Sequence, residues 1–356
     1  MKVTIKTSEE IELMRKAGKI LAEVHQCLGK EIKPGMSTLD IDRLGEEMIR
    51  SYGCIPSFKN YCGYPASICV SVNEEVVHGI PKKSRIIQEG DIVSLDAGVI
   101  YEGYHSDAAR TVAVGEVSKE AELLIERTRQ SFFEGMKMAT AGNHLYDISS
   151  AVGDYAAQFG YGVVEDLCGH GIGSHLHEEP EIPNYRPSRF RHGIKLKPGM
   201  TLAVEPMINI GTADVLWMDD EWTVVTEDNS LSAHYENTIL ITEGKPEILS
   251  LTEDEMKIIQ PLMKESAAEL SDVISSYGTL SFGEGEISID FDLPVNWKDA
   301  ALTTLTQCLT NYISNSICQR WFAMTNRDDV KYYADKVVIN ATNITKLLCE
   351  RKKPQR

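Results

Sequence analysis

Five polar side chains interrupt apolar stretches of this 356-residue chain: Asp96 in "SLDAGVIYEG", Asp107 in "YHSDAART", His170 in "LCGHGIGSHLHEEP", Glu205 in "LAVEPMI" and Glu236 in "HYENTILIT". A buried carboxylate without a partner is costly, so such groups pair with a cation or bind a metal. Arg110 is the one cation close in sequence to Asp107, and no run of Lys or Arg accompanies the others. Taken singly, each acid reads as an edge residue or an ion-pair partner. Taken together, the five read as ligands. Four carboxylates balance two divalent cations, and oxygen with imidazole suits Mn, Fe, Co or Zn. Two such ions, about 3.5–4 Å apart, can hold one bridging water as hydroxide near neutral pH, which is the chemistry of a hydrolase.

The elements that must gather these residues follow from periodicity. Thr7-Ser8-Glu9-Glu10 is a capping box, and the apolar residues after it recur at helical spacing. A second helix starts near Ser37 and Thr38; strands follow at "ASICVSV", "DIVSLDAGVIY" and "YHSDAARTVAV". Helices recur over about 118–140 and in "LYDISSAVGDYAAQFGY", then strands in "GMTLAVEPMINIG", "EWTVVTED" and "SAHYENTILIT". The repeated order of two helices then strands predicts an α+β fold of two related halves, strands inside and helices outside. The character changes after "GKPEILS". Residues 1–250 read as a catalytic domain, and residues 251–356 as a mostly helical appendage without a recognised function. There, Thr252 opens a helix that Pro261 should interrupt, "GTLSFGEGE" reads as a loop and "ISIDFDL" as a strand. Two amphipathic helices over 297–322 and 328–350 follow, then a basic "ERKKPQR" tail.

The net charge of −17 argues against a broad nucleic-acid footprint, so no specific DNA partner is expected. The eight cysteines form no CxxC pair and read as reduced, buried thiols. The opening "MKVTIKTSEE" lacks the apolar core of a signal peptide, and no long apolar run could span a membrane. A cytoplasmic protein, monomeric and not bound to a membrane, is the expectation.

From about residue 3 to 249 the chain resembles the type I methionine aminopeptidases of the pita-bread metallopeptidase fold. The segments that carry the resemblance are "GYPASICVSVNEEVVHGIP", "DIVSLDAGVIYEGYHSDAART", "GHGIGSHLHEEP", "GMTLAVEPMI" and "TEDNSLSAHYENTILIT". The resemblance implies removal of the initiator methionine from nascent polypeptides with a small second residue, by attack of a metal-bridging hydroxide on the scissile carbonyl. It implies that Asp96 binds one metal, that Asp107 and Glu236 bridge two, and that His170 and Glu205 hold the other, with Glu205 shuttling a proton. It maps two further histidines onto His78, at the leaving side of the peptide, and His177, at the oxyanion. The methionine pocket maps onto Phe58, Tyr61, Tyr64, Cys69, Leu176 and Trp222; Phe58 and Leu176 depart from the bacterial pattern while keeping the wall apolar. A monovalent-cation site would involve Asn73 and Ser232. His105, His144, His175, His192 and His234 read as ordinary histidines.

Aminopeptidase P and prolidase share fold and ligands but carry a large preceding domain, whereas here the resemblance starts within ten residues of Met1. Type II enzymes carry a long insertion between the second histidine and the first glutamate, and only 28 positions separate His177 from Glu205. A non-catalytic binding protein on this fold would have lost ligands that are all present here; metal content separates the two readings. The basic tail would suit ribosomal RNA, which makes the ribosome a candidate partner of the appendage.

Overall fold

Thr7 opens helix α1 (Ser8–Glu31). Its hydroxyl accepts from the Glu10 amide at 3.3 Å, and the Glu10 carboxylate accepts from the Thr7 amide at 2.7 Å. Two amides that a helix start leaves unpaired are thereby satisfied. Met14, Ala17, Leu21, Val24 and Leu28 recur along one face and are fully buried. Ser37 and Asp40 form a second capping box at the start of α2 (Thr38–Ser51). The two helices pack on the strands Ile68–Val72, Ile92–Tyr101 and Tyr104–Ala113 through a core that includes Ile41, Ile49, Ile68, Val70, Val93, Leu95 and Val99.

The pattern repeats. Helices α3 (Lys119–Met136) and α4 (Leu145–Ala157) are followed by strands Gly169–Gly171, Glu178–Ile182, Thr201–Val204 and Ser232–Leu240. Their shared core contains Phe132, Ile148, Val152, Leu202, Val204 and Ile239. Strands of both halves join one 11-stranded sheet. Its central path runs Ile92–Tyr101, Tyr104–Ala113, Ser232–Leu240, Thr201–Val204 and Gly169–Gly171, each antiparallel to the next. A small second sheet orders strands Val215–Trp217, Val224–Thr226 and Glu75–Val77. This computed structural model describes residues 3–187, 192–275, 278–283, 286–291, 299–324 and 330–350.

The chain divides into two units, Met1–Glu253 and Asp254–Arg356. The first unit closes tightly on its own end. A Cβ on Gly18 would lie 2.3 Å from the Leu249 carbonyl oxygen, so only glycine lets α1 meet that segment.

The C-terminal segment forms α5 (Glu253–Ile274), a β-hairpin, α6 (Asp299–Met324) and α7 (Val330–Glu350). A core of its own gathers Ala267, Leu270 and Ile274 with Leu305, Leu309, Tyr312, Ile313, Ile344 and Leu348. Two expectations fail here. "GTLSFG" is not a loop: Gly278–Gly283 pairs with Glu286–Phe291, with Leu280 opposite Ile289 and both packed on this core. Its glycines stand at the strand ends, where they resemble turn punctuation. Helix α5 also continues through position 261. A proline inside a helix removes one hydrogen bond and can bend rather than end it, and the buried stripe beyond it holds the second half in place. The tail after Glu350 lies outside the described residues. Nor are the thiols uniformly buried: Cys54 and Cys69 are, while Cys27 and Cys62 are exposed. Among the described residues, no helix is long and apolar enough to cross a membrane.

Candidate metal centre and substrate pocket

Strand alternation decides which side chains meet. Val93, Leu95, Ala97 and Val99 pack in the core beneath α1 and α2, which turns Asp96 to the other face. Ala108 does the same for Asp107, Tyr235 and Ile239 for Glu236, and Leu202 and Val204 for Glu205. The registers then align the strands. Ala109 lies opposite Asp96 on one side and opposite Glu236 on the other. Asp107 faces Gly98, and His170 faces Ala203. Directly opposed residues of antiparallel strands share a face. All five residues therefore project from one face, separated by alanine and glycine instead of bulky side chains.

His170 Nε2 is 3.8 Å from Asp107 Oδ2 and 3.7 Å from Glu205 Oε1. One ligand atom each of Asp107, His170 and Glu236 lie within 4.8 Å of one another. His170 Nδ1 is 2.8 Å from the Gly171 carbonyl oxygen. A carbonyl only accepts, so Nδ1 carries the proton and Nε2 offers a lone pair. Burial, with His177 nearby, holds His170 down to about 3, so the ring is neutral. Its lone pair thus faces two acids at distances too long for a hydrogen bond, a gap that a shared cation would fit.

The acids make the same point. Asp96 Oδ1 and Glu236 Oε1 are buried without a hydrogen-bond partner among the described residues. Burial pushes the Asp96 carboxyl up to about 7. Burial and then the neighbouring acids hold Asp107, Glu205 and Glu236 well above the usual carboxylate range. The Arg110 guanidinium donates to the Ala109, Glu236 and Ser250 carbonyls and to Asn237 Oδ1, lies 4.3 Å over the Tyr235 ring, and offsets only the smallest part of the rise at Glu236. Orphaned oxygens, crowded acids and a bare imidazole fit divalent cations with oxygen and nitrogen ligands.

The five residues line a cavity of about 240 Å³ with Phe58, Tyr61, Cys62, Tyr64, Cys69, His78, Leu176, His177 and Trp222. Every pocket residue expected from the sequence is in this wall. Trp222 meets Tyr64 edge to face at 5.1 Å, and the Tyr64 hydroxyl donates to the Gly79 carbonyl at 3.1 Å. Burial pushes the Cys69 thiol well up, so it stays neutral and behaves as an apolar wall. The Tyr61 hydroxyl is 3.0 Å from His177 Nδ1, and the His177 ring stands edge-on to His170 at 4.3 Å. Burial lowers His177. His78 adopts φ 58°, a left-handed conformation that costs energy in a non-glycine residue, and burial holds its ring down to about 4. Ser232 and Asn73 are adjacent: the Ser232 amide donates to the Asn73 carbonyl at 2.9 Å.

Two residues at the site escaped the sequence reading. His234, 2% exposed, sits two positions before Glu236, so strand period alone puts it on the same face. Its Nε2 is 3.7 Å from Glu205 Oε2, and neither ring nitrogen has a hydrogen-bond partner among the described residues. Cys62 reaches the cavity from the turn Tyr61–Gly63 at φ 50°, a placement with no periodic signal.

The model of metallopeptidase family M24 matches residues 12–243, a span that holds all five clustered residues. The chain belongs to metallopeptidase family M24. Among M24 proteins, it is 56% identical over 252 residues to the methionine aminopeptidase of Clostridium acetobutylicum, covering 70% of this chain and 100% of that one. It is 47% identical over 248 residues to methionine aminopeptidase 1 of Bacillus subtilis, covering 70% and 99%. The crystal structure of methionine aminopeptidase from Thermotoga maritima aligns with a TM-score of 0.68 at 44% identity, covering 70% of this chain and 100% of that one. Within M24 the chain falls with the type I methionine aminopeptidases, as its motifs implied, and its fold is the pita-bread fold of that family.

Proposed function

We propose that Asp96, Asp107, His170, Glu205 and Glu236 hold two divalent cations, and that the cavity beside them receives the N-terminal methionine of a nascent polypeptide. The enzyme class, an aminopeptidase that removes methionine, is that of its M24 relatives. In this reading, Asp96 serves one cation, Asp107 and Glu236 both, and His170 and Glu205 the other; the metal is Mn, Fe, Co or Zn. Bound there, divalent cations supply Lewis acidity and a water activated near neutral pH.

The chain's own residues do the rest. An unbranched thioether suits the soft wall of Phe58, Tyr64, Cys69, Leu176 and Trp222. A cavity this narrow favours a small second residue, so peptides beginning Met-Ala, Met-Gly or Met-Ser are the expected substrates. Glu205, ionised once cations are held beside it, would take the proton of the attacking water and return it to the departing amine. The Tyr61 hydroxyl is 3.0 Å from His177 Nδ1; with the hydroxyl as donor, the N–H stands on Nε2 and can meet the oxyanion. His78 orients the scissile peptide and the departing nitrogen. Asn73 and Ser232 belong to a monovalent-cation site in this proposal. The chain is taken as a cytoplasmic monomer, whose residues 251–356 meet a partner such as the ribosome.

The observation that carries the reading is the bare Nε2 of His170 facing Asp107 and Glu205 beside an apolar slot. The test is methionine release from Met-Ala-Ser by metal-free protein titrated with each divalent metal. Release that saturates at two ions per chain supports it. Cleavage before proline, whatever the first residue, points to the Xaa-Pro branch of the fold instead.

A further inference from the structure

Leu216, Trp217 and Met218 are 50%, 52% and 49% exposed, three consecutive large apolar side chains in water. They form the outer strand of the small sheet, Val215–Trp217, and the residue after it. Among the described residues this strand pairs on one side only, with Val224–Thr226. The Met218 amide donates to the Thr223 carbonyl at 2.8 Å and the Glu227 amide to the Asp214 carbonyl at 3.1 Å, with Leu216 opposite Val225 between them. Antiparallel hydrogen bonding alternates, so the N–H and C=O groups of Val215 and Trp217 point away from the partner strand. Proteins normally blunt such an edge with lysine, proline or a covering segment, because it invites another strand. Here it is left both open and apolar.

Its place in the fold says what it meets. The central strand of this sheet follows Trp222, which lines the cavity, and the far strand, Glu75–Val77, leads into His78, which lines it too. Two strand spacings of about 4.8 Å separate the edge from Glu75–Val77, the length of roughly three residues of extended chain. A polypeptide leaving the cavity therefore reaches this edge a few residues after its first. Asp214, Asp219, Glu221 and Glu227 surround it, while Asp220 is paired with Lys82 at 3.0 Å. That charge rejects acidic sequences and accepts apolar or basic ones.

We propose that the Val215–Met218 edge is a docking strand for the substrate polypeptide downstream of its cleaved methionine, pairing by strand addition and reading apolar side chains on Leu216, Trp217 and Met218. This rests on the aminopeptidase reading of the cavity. The whole metal-loaded protein is assayed on three peptides: the tripeptide Met-Ala-Ser, and two ten-residue peptides that extend it with Val-Ile-Lys or with Asp-Gly-Asp at positions four to six. The apolar extension should raise kcat/KM about tenfold over the acidic one, mainly through KM, equivalent to about 1.4 kcal/mol. Trp217→Ser and Leu216→Ser should each cut that preference to less than threefold and leave tripeptide turnover intact. Equal turnover of the two long peptides, or a preference that survives both substitutions, overturns the docking strand. A Trp217-dependent dimer in sedimentation also overturns it, because the edge would then belong to a second copy. No release from the tripeptide at all would instead sink the aminopeptidase reading, and is distinguishable for that reason.

Discussion

His234 and Glu205 face each other within the sheet, His234 Nε2 3.7 Å from Glu205 Oε2, while Glu205 Oε1 lies 3.7 Å from His170 Nε2. One carboxylate is thus held between two imidazoles, and a small rotation brings the His234 contact to hydrogen-bond length. Partners of this kind typically change metal affinity about 10–100-fold. His234→Leu should weaken metal binding in that range, measured by calorimetry, and alter the visible spectrum of the cobalt-loaded protein. His234→Gln keeps a donor and should recover most of the affinity. Equal losses in both variants would reduce His234 to a packing residue.

Asp107→Asn and Glu236→Gln should each abolish turnover without unfolding the protein. Each is proposed to serve both cations, so a neutral amide weakens two sites at once. Metal stoichiometry beside circular dichroism decides it. Two metals retained with full activity would refute the assignment.

His177→Ala should lower kcat by about 10²–10³, the usual worth of a donor placed where charge develops, and leave metal content unchanged. Tyr61→Phe should cost less, on the order of fivefold in kcat, because it removes one hydrogen bond that fixes the His177 tautomer. Loss of metal from the His177 variant would make that ring a ligand.

Above about pH 6.5, where the buried histidines held down to about 3 or 4 are neutral in the folded and unfolded chain alike, the metal-free protein should lose stability as pH rises. An acid with a raised folded pKa keeps in the native state a proton that the unfolded chain has already released. That contribution is fully present below the ordinary aspartate value of about 3.9 and is lost as pH rises through about 7, the value to which Asp96 is pushed. Metal binding expels these protons, so its affinity and its gain in Tm should grow over the same window. Calorimetric scans from about pH 6.5 to 8.5, above the ordinary histidine range, with and without metal test both signs. A metal-free Tm that climbs with pH would contradict them.

A chain ending at Glu253 should keep kcat/KM within about a factor of ten on a short peptide, given that remote contacts change rates far less than losing a catalytic group does. The five clustered residues and the cavity wall all precede position 237, and the M24 family match ends at residue 243. The cut must spare Ser250, whose hydroxyl donates to Asn237 Oδ1 at 2.9 Å and whose carbonyl accepts from Arg110. An inactive but folded and metal-bound product would place part of the C-terminal unit in the chemistry.

Much of the site was legible because burial and charge conflict locally. An aspartate between Leu95 and Ala97 breaks the apolar run of a strand, and the break is visible without a structure. The halves were legible too, since capping boxes and helical stripes are short-range signals. His234 was not, because a histidine carries no local contradiction; its meaning depends on Glu205, a neighbour from another strand. The first strand of the C-terminal hairpin was not legible, unlike the second, because Gly278 and Gly283 look the same at a strand end as in a loop, and only the pairing of Leu280 with Ile289 tells them apart.

Ala109 stands between Asp96 and Glu236 where a strand of this depth would ordinarily carry valine or isoleucine. At Ala109 the middle of the sheet has given up volume as well as neutrality, whereas over Gly98 the space is taken by Ser57 and Phe58. Cations held there, as proposed, would be structural mortar as much as reagents. Stripping them should loosen the central strands as a cavity-forming mutation would, with backbone amides of 104–113 and 232–240 exchanging with heavy water faster than those under α1. Regulation by metal supply would then act on the lifetime of the protein in the cell, not only on its turnover.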